Sequence, residues 1–154
     1  MNDAHAMVTE RAMNVTPRQI WSAWTDPDSV AKWWGPAGFR STVHELDVCS
    51  GGHLKITMHG PDGTDYPNVY RFDDIVPYKR IGYTHLGSEE FGLAPSQSVV
   101  ELIQIDDRRT RVVMEARFVS AEDKRRHIED FGAIEGSQQL LERLEGQAHS
   151  YEAR

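Results

Sequence analysis

Two hydrophobic periods divide the chain. Between Phe39 and Phe118 apolar side chains recur at every second position, the mark of half-buried strands, and from Phe131 to Ala148 they recur with the helical period. In that last stretch Ile134, Leu141, Leu144 and Ala148 share one face, while Glu142, Arg143, Glu145 and Gln147 fall largely on the outer side. A fully buried Leu or Ile contributes about 1.5 to 3 kcal/mol and an interior glycine costs about 1 kcal/mol, so a helix broken by Gly136 and Gly146 holds its shape mainly by docking. The strands supply the docking surface. Gly136 and Ser137, side by side in the stripe, are too small to fill the space between a helix and a sheet, and a gap is expected there.

Before the strands, Met7–Asn14 alternates well enough for a first edge strand. Thr16-Pro17-Arg18-Gln19 then has the chemistry of a helix start, with Thr16 as cap, Pro17 at the first helical position and Gln19 closing a capping box. Asp26-Pro27 ends this short helix and caps a second one running through Val30 to Trp34, where Gly35-Pro36 stops it. In the period-two region, Phe39–Val48 and His53–His59 flank Ser50-Gly51-Gly52, read as a three-residue hairpin loop. That loop predicts Val48 opposite Leu54, Leu46 opposite Ile56 and His44 opposite Met58 on the inner face, with Asp47 opposite Lys55 outside. Further strands follow over Asn68–Val76, Arg80–His85, Ser98–Ile105 and Thr110–Phe118. The connection Leu86–Gln97 is longer than a hairpin needs, and Ser120 caps a charged helical turn leading into the final helix.

Composition narrows the function. The 154 residues carry a formal net charge of -7, and the one short basic run, Lys124-Arg125-Arg126, is flanked by acids, which argues against a nucleic-acid partner. Apolar runs are strand-sized, so no membrane insertion is expected. A lone Cys49 fits a reducing, cytoplasmic setting, and without a neighbouring base it reads as a small strand residue rather than a reactive thiol. One domain over residues 1–154 is expected, with 1–6 a flexible N-terminus.

Local wording adds a resemblance. Trp21-Ser22-Ala23-Trp24-Thr25-Asp26-Pro27, Lys32-Trp33-Trp34-Gly35-Pro36, Gly51-Gly52, Met58-His59-Gly60-Pro61-Asp62-Gly63, Asp74-Ile75-Val76-Pro77-Tyr78-Lys79-Arg80-Ile81 and Glu135-Gly136 followed by Leu141-Glu142-Arg143-Leu144 together resemble homologues of the activator of the heat-shock-protein-90 ATPase, within the START-related superfamily often called SRPBCC. The resemblance covers nearly the whole chain. It implies an α+β helix-grip fold: a curved antiparallel sheet of six to seven strands wrapped around a long C-terminal helix, with two short helices after the first strand and a cavity between sheet and helix. It implies a superfamily that mostly binds apolar or amphipathic small molecules, and no single activity. Similar sequences often carry Trp after the Glu-Gly pair; here Ser137 stands in that place, which enlarges or reshapes the cavity.

Strand alternation supplies the candidate site. Ligand-binding residues are expected at Trp33, Trp34, His44, Leu46, Ile56, Met58, Tyr70, Phe72, Tyr83, His85, Met114, Phe118, Ser137 and Leu141, with His44, His85 and the phenols as orienting hydrogen-bond partners. Glu101 has ambiguous strand parity. No His-x-His, His-x-x-x-His or Cys-x-x-Cys pair occurs, and His53 and His59 lie about 20 Å apart at ~3.3 Å per residue, so no metal and no cofactor are expected. No nucleophile has an adjacent base in the sequence, so no catalytic residue is assigned. The reading is a binding module for a small apolar or amphipathic ligand, monomeric or homodimeric. The alternatives are a chaperone accessory protein and a cyclase- or hydrolase-like enzyme using the same cavity.

Overall fold

A computed structural model of the chain describes residues 4–90 and 92–152. Its strands are β1 (Ala6–Met13), β2 (Arg40–Leu46), β3 (His53–His59), β4 (Asp65–Val76), β5 (Arg80–His85), β6 (Ser96–Gln104) and β7 (Thr110–Arg117). The helices are α1 (Pro17–Thr25), α2 (Pro27–Trp33), α3 (Ala121–Phe131) and α4 (Ala133–Ala148). All seven strands form one antiparallel sheet in the order β1-β7-β6-β5-β4-β3-β2, a meander to which β1 adds itself beside β7. Residues 1–3 lie outside the described residues; the expected flexible start does not extend to residue 6, since the His5 carbonyl accepts from Phe118 N–H at 2.8 Å and Ala6 pairs with Arg117.

Local chemistry builds α1 and α2 as their sequences require. The Thr16 side chain accepts from Gln19 N–H while the Gln19 side chain accepts from Thr16 N–H, a reciprocal capping box, and Asp26 accepts from Asp28 N–H to start α2. Both helices deliver large side chains, including Ile20, Trp24, Val30 and Trp33, to a core they share with Leu54, Ile56, Phe72, Ile81, Val100, Val112, Leu141, Leu144 and Ala148. The Trp33 indole N–H finds the Ala23 carbonyl at 3.0 Å inside that core.

Several expectations are corrected. The β2–β3 register is shifted: Leu46 pairs with Leu54, Glu45 with Lys55 and Val43 with Ile56, with a bulge at His44. The loop is longer than three residues, since β2 ends at Leu46 and β3 starts at His53, and it is joined to β4, where Gly51 N–H donates to the Phe72 carbonyl and the Gly52 carbonyl accepts from Phe72 N–H. Only glycine fits at 52, where a Cβ would sit 2.1 Å from the Asp47 carbonyl oxygen. A shift of two residues preserves parity for Leu46, but the bulge reverses it upstream and turns Val43 rather than His44 inward.

The long C-terminal helix is α4, as expected, but the charged turn expected before it is a full helix, α3, which ends at Gly132 with φ 62° and ψ 39°. Ile134, expected in the buried stripe, is 41% exposed, and the docked face begins further on with Leu141, Leu144 and Ala148. Finally, Arg143 and Glu145 are not solvated outer residues. Glu145 accepts from the Arg11 guanidinium at 2.7 Å and from Asn14 N–H at 2.9 Å, which ties α4 to the end of β1. Glu101 is exposed on the outer face, because Val100 and Leu102 take the inner one.

Candidate functional site

The concave face of the sheet and helices α3 and α4 enclose a cavity of about 300 Å³. Trp34, at the end of α2, forms one wall with Tyr70 of β4 and Tyr83 of β5, whose rings meet edge to face at 5.1 Å for Trp34–Tyr70 and 5.6 Å for Tyr70–Tyr83. Phe118 and His127 stack across another side, with ring centres 4.5 Å apart. Met58, Met114 and Leu140 complete much of the apolar surface. Gly136 and Ser137 of α4 border the space with almost no side chain. The Ser137 hydroxyl turns back onto its own helix and donates to the Ala133 carbonyl at 2.7 Å.

Of the expected site residues, Trp34, Met58, Tyr70, Tyr83, His85, Met114, Phe118 and Ser137 come together around this cavity. Trp33, Ile56, Phe72 and Leu141 lie instead in the packed core behind it, and Leu46 packs against that core from the edge. His44 is on the opposite face, where its Nε2 lies 2.9 Å from the Thr57 hydroxyl. The cavity also takes residues that the sequence reading missed. Tyr66 and Asn68 share the parity of Tyr70; Tyr66 was hidden by starting β4 three residues late and Asn68 stood at the very start of the expected strand, and Ser98 shares the parity of Val100. His127 and Phe131 come from α3, whose length Gly132 defines and the polar sequence obscures.

Polar groups in the cavity are mostly used internally. Gly87 N–H donates to His85 Nδ1 at 3.2 Å, so the imidazole proton sits on Nε2 and is donated to Asn68 Oδ1 at 2.6 Å. The Asn68 amide in turn donates to the Tyr66 carbonyl at 3.0 Å. Burial, reinforced by the charge of His127, pushes the His85 pKa down to about 4. Burial raises the Tyr70 phenol to about 12, against a smaller opposing pull from Trp34, and raises Tyr83 still further, with Tyr70 adding to the effect. Among the described residues, none that lines the cavity is Asp, Glu, Lys or Arg.

His85 therefore has a measurable signature. Its folded pKa is depressed below the free-histidine value of 6.5, so its contribution is fully present above pH 6.5 and is lost as pH falls toward about 4. The depression corresponds to on the order of 3 kcal/mol between the two protonation states. Urea midpoints at pH 7 and pH 4.5 should fall further for the parent protein than for His85→Gln; equal falls would show that His85 does not titrate in a buried site.

Arg143 sets the rim. Its guanidinium donates to the carbonyls of Gly35, Pro36 and Phe39 at 2.9, 2.8 and 2.9 Å, and also to that of Lys32. It thus satisfies the orphan carbonyls at the end of α2 and fixes the Gly35-Pro36 corner, which borders the cavity. Elsewhere, Thr42, His59 and Asp65 form a hydrogen-bonded chain of 2.8 and 2.7 Å that has the order of a nucleophile, base and orienting acid. It lies on the solvent face of the sheet, where the hydroxyl belongs to an exposed threonine outside any cavity, and it serves as a cross-strand network. Among the described residues no group of three or more His, Cys, Asp or Glu is placed to hold a metal ion, and no helix is long and apolar enough to cross a membrane.

A curved seven-stranded sheet closed by a long C-terminal helix over an apolar cavity defines an α+β protein of the helix-grip class. The chain belongs to the family described as Activator of Hsp90 ATPase homolog 1-like protein, whose sequence profile matches residues 14–148. Similar solved structures include a protein from Nitrosomonas europaea, at 23% identity and TM-score 0.85 over 97% of each chain. A protein from Arthrobacter aurescens has 22% identity and TM-score 0.85, covering 98% of this chain and 91% of its own. The AHSA1 protein from Silicibacter pomeroyi has 20% identity and TM-score 0.72, covering 94% and 97%. At these identities the likeness concerns the fold. No match is found among curated proteins.

Proposed function

We propose that the protein binds a small apolar or amphipathic molecule between the sheet and α4, in the cytoplasm and without a resident cofactor. The carrying observation is the cavity of about 300 Å³ at the position where Gly136 and Ser137 leave α4 without bulk. Trp34, Tyr70, Tyr83, Phe118 and His127 face that position across the space. Binding draws on desolvation of the aromatic and methionine surface. The paired and spent nitrogens of His85 support a binding rather than a proton-transfer role. A second reading, accessory contact with a chaperone, rests on the family to which residues 14–148 belong.

The test is to incubate the protein with a cellular metabolite and lipid extract, re-purify it under native conditions, and compare native with denaturing mass spectra. A small molecule retained in the first and released in the second is the expected result. No retained mass, combined with capture of the chaperone in a parallel pull-down, would favour the second reading.

A further inference from the structure

Two histidines line the cavity, and on the reading that it is a ligand site they differ in what they leave for an occupant. Both nitrogens of His85 are engaged, Nδ1 by Gly87 N–H at 3.2 Å and Nε2 by the Asn68 carbonyl oxygen at 2.6 Å. His127 is engaged at one nitrogen. Its Nδ1 lies 2.9 Å from the Asp123 carbonyl, one turn back on α3, and a carbonyl oxygen only accepts, so a ring proton sits on Nδ1. Nε2 has no hydrogen-bond partner among the described residues, and in the neutral ring it presents a lone pair.

The setting of His127 turns that lone pair toward the cavity. The bond to Asp123 draws Nδ1 back along the helix, and the ring packs between Phe118 and Phe131 at 4.5 and 6.0 Å between centres, both of them cavity residues. Nε2, the nitrogen further from the backbone, is the polar edge that this wall offers.

The hydroxyl groups around the space discriminate less. Those of Ser96, Ser98 and Tyr70 can each donate or accept, whereas an imidazole lone pair takes only a donor and is the more basic acceptor. The rings of Trp34, Tyr70, Tyr83 and Phe118 favour an aromatic body in offset or edge-on contact. The volume of about 300 Å³ is twice that of an apolar cavity of about 150 Å³ that accommodates one benzene, so two fused rings fit. We infer that the cavity takes a hydroxylated aromatic molecule, a phenol, whose O–H donates to His127 Nε2.

Equilibrium dialysis of the intact protein at pH 7.5 against 2-naphthol, 2-methoxynaphthalene and naphthalene-2-carboxylate tests this. The first can donate a hydrogen bond, the second has that donor capped by a methyl group, and the third is an anion. The naphthol should bind tightest. His127→Phe keeps a ring beside Phe118 and removes the acceptor, so it should weaken the naphthol about tenfold, the equivalent of about 1.4 kcal/mol for one hydrogen bond, and leave the ether unchanged. Nitrogen-15 NMR of the parent protein reads the same contact without a substitution: the naphthol should move the His127 Nε2 signal and the ether should not. Three results overturn the assigned class while leaving the cavity as a ligand site: naphthol affinity unchanged in the variant, a His127 signal indifferent to the naphthol, or a carboxylate bound tighter than the naphthol, which would set an anion against a protonated His127. Failure of all three probes to bind removes the ligand reading together with the class.

Discussion

Leu144→Ala should lower the unfolding free energy by about 2 to 5 kcal/mol, and Leu141→Ala by a similar amount, since truncating a buried leucine loses its transfer energy and leaves a void. Both side chains are essentially inaccessible, Leu144 at 0% and Leu141 at 1% exposure, and both lie in the shared core of sheet, α1, α2 and α4. That placement follows from their spacing. With Ala148 they occupy positions three and seven residues apart on one helical face, opposite the sheet. Gln138→Ala, outside the buried set, is the control and should change stability by less than about 0.5 kcal/mol. Denaturant unfolding of the three variants decides it. Small, equal effects at all three positions would mean that α4 does not dock through this face.

Arg143→Met should destabilise by about 2 to 4 kcal/mol even though it removes no ion pair, because hydrogen bonds from a charged donor contribute more than neutral ones and several carbonyls lose their partner together. The guanidinium reaches the carbonyls of Lys32, Gly35, Pro36 and Phe39 simultaneously. A lysine has three donors on a flexible stem and lacks the planar fork, so Arg143→Lys should recover only part of the loss. The same variants should loosen the Gly35-Pro36 corner, visible as faster amide exchange at residues 35–39. Stability of Arg143→Met equal to that of the parent would show that the clamp contributes nothing in solution.

How much of this was legible depended on the range of the interactions. The caps of α1 and α2 were readable because a Thr-Pro-x-Gln or Asp-Pro sequence carries its own hydrogen-bond geometry. The cavity-facing parity of Tyr70, Tyr83, His85, Met114 and Phe118 was readable because a strand alternates strictly unless something interrupts it. At His44 something does. One bulged residue reversed the face, and a bulge leaves no mark in the alternation of a single strand. Arg143 was misplaced for a related reason: a long cationic side chain has no visible preference in sequence between water and a distant set of carbonyls. Gly132 shows the limit within a helix. The polar sequence offered only a charged turn before the final helix, where the structure has the eleven-residue α3 ended by Gly132 in a left-handed conformation.

The central claim is that the small residues at 136 and 137 leave a usable cavity. The most direct measurement is a pair of experiments on the parent and Ser137→Trp: a titration with an apolar fluorescent dye, and a thermal melt. The account predicts that the parent binds the dye and that the variant loses this binding while keeping or raising its melting temperature, because the indole occupies existing space. In a core already filled, the inserted ring would force neighbours off their rotamers at a cost of about 1 to 3 kcal/mol or more. A large fall in melting temperature for Ser137→Trp, with no dye bound by the parent, would contradict the account.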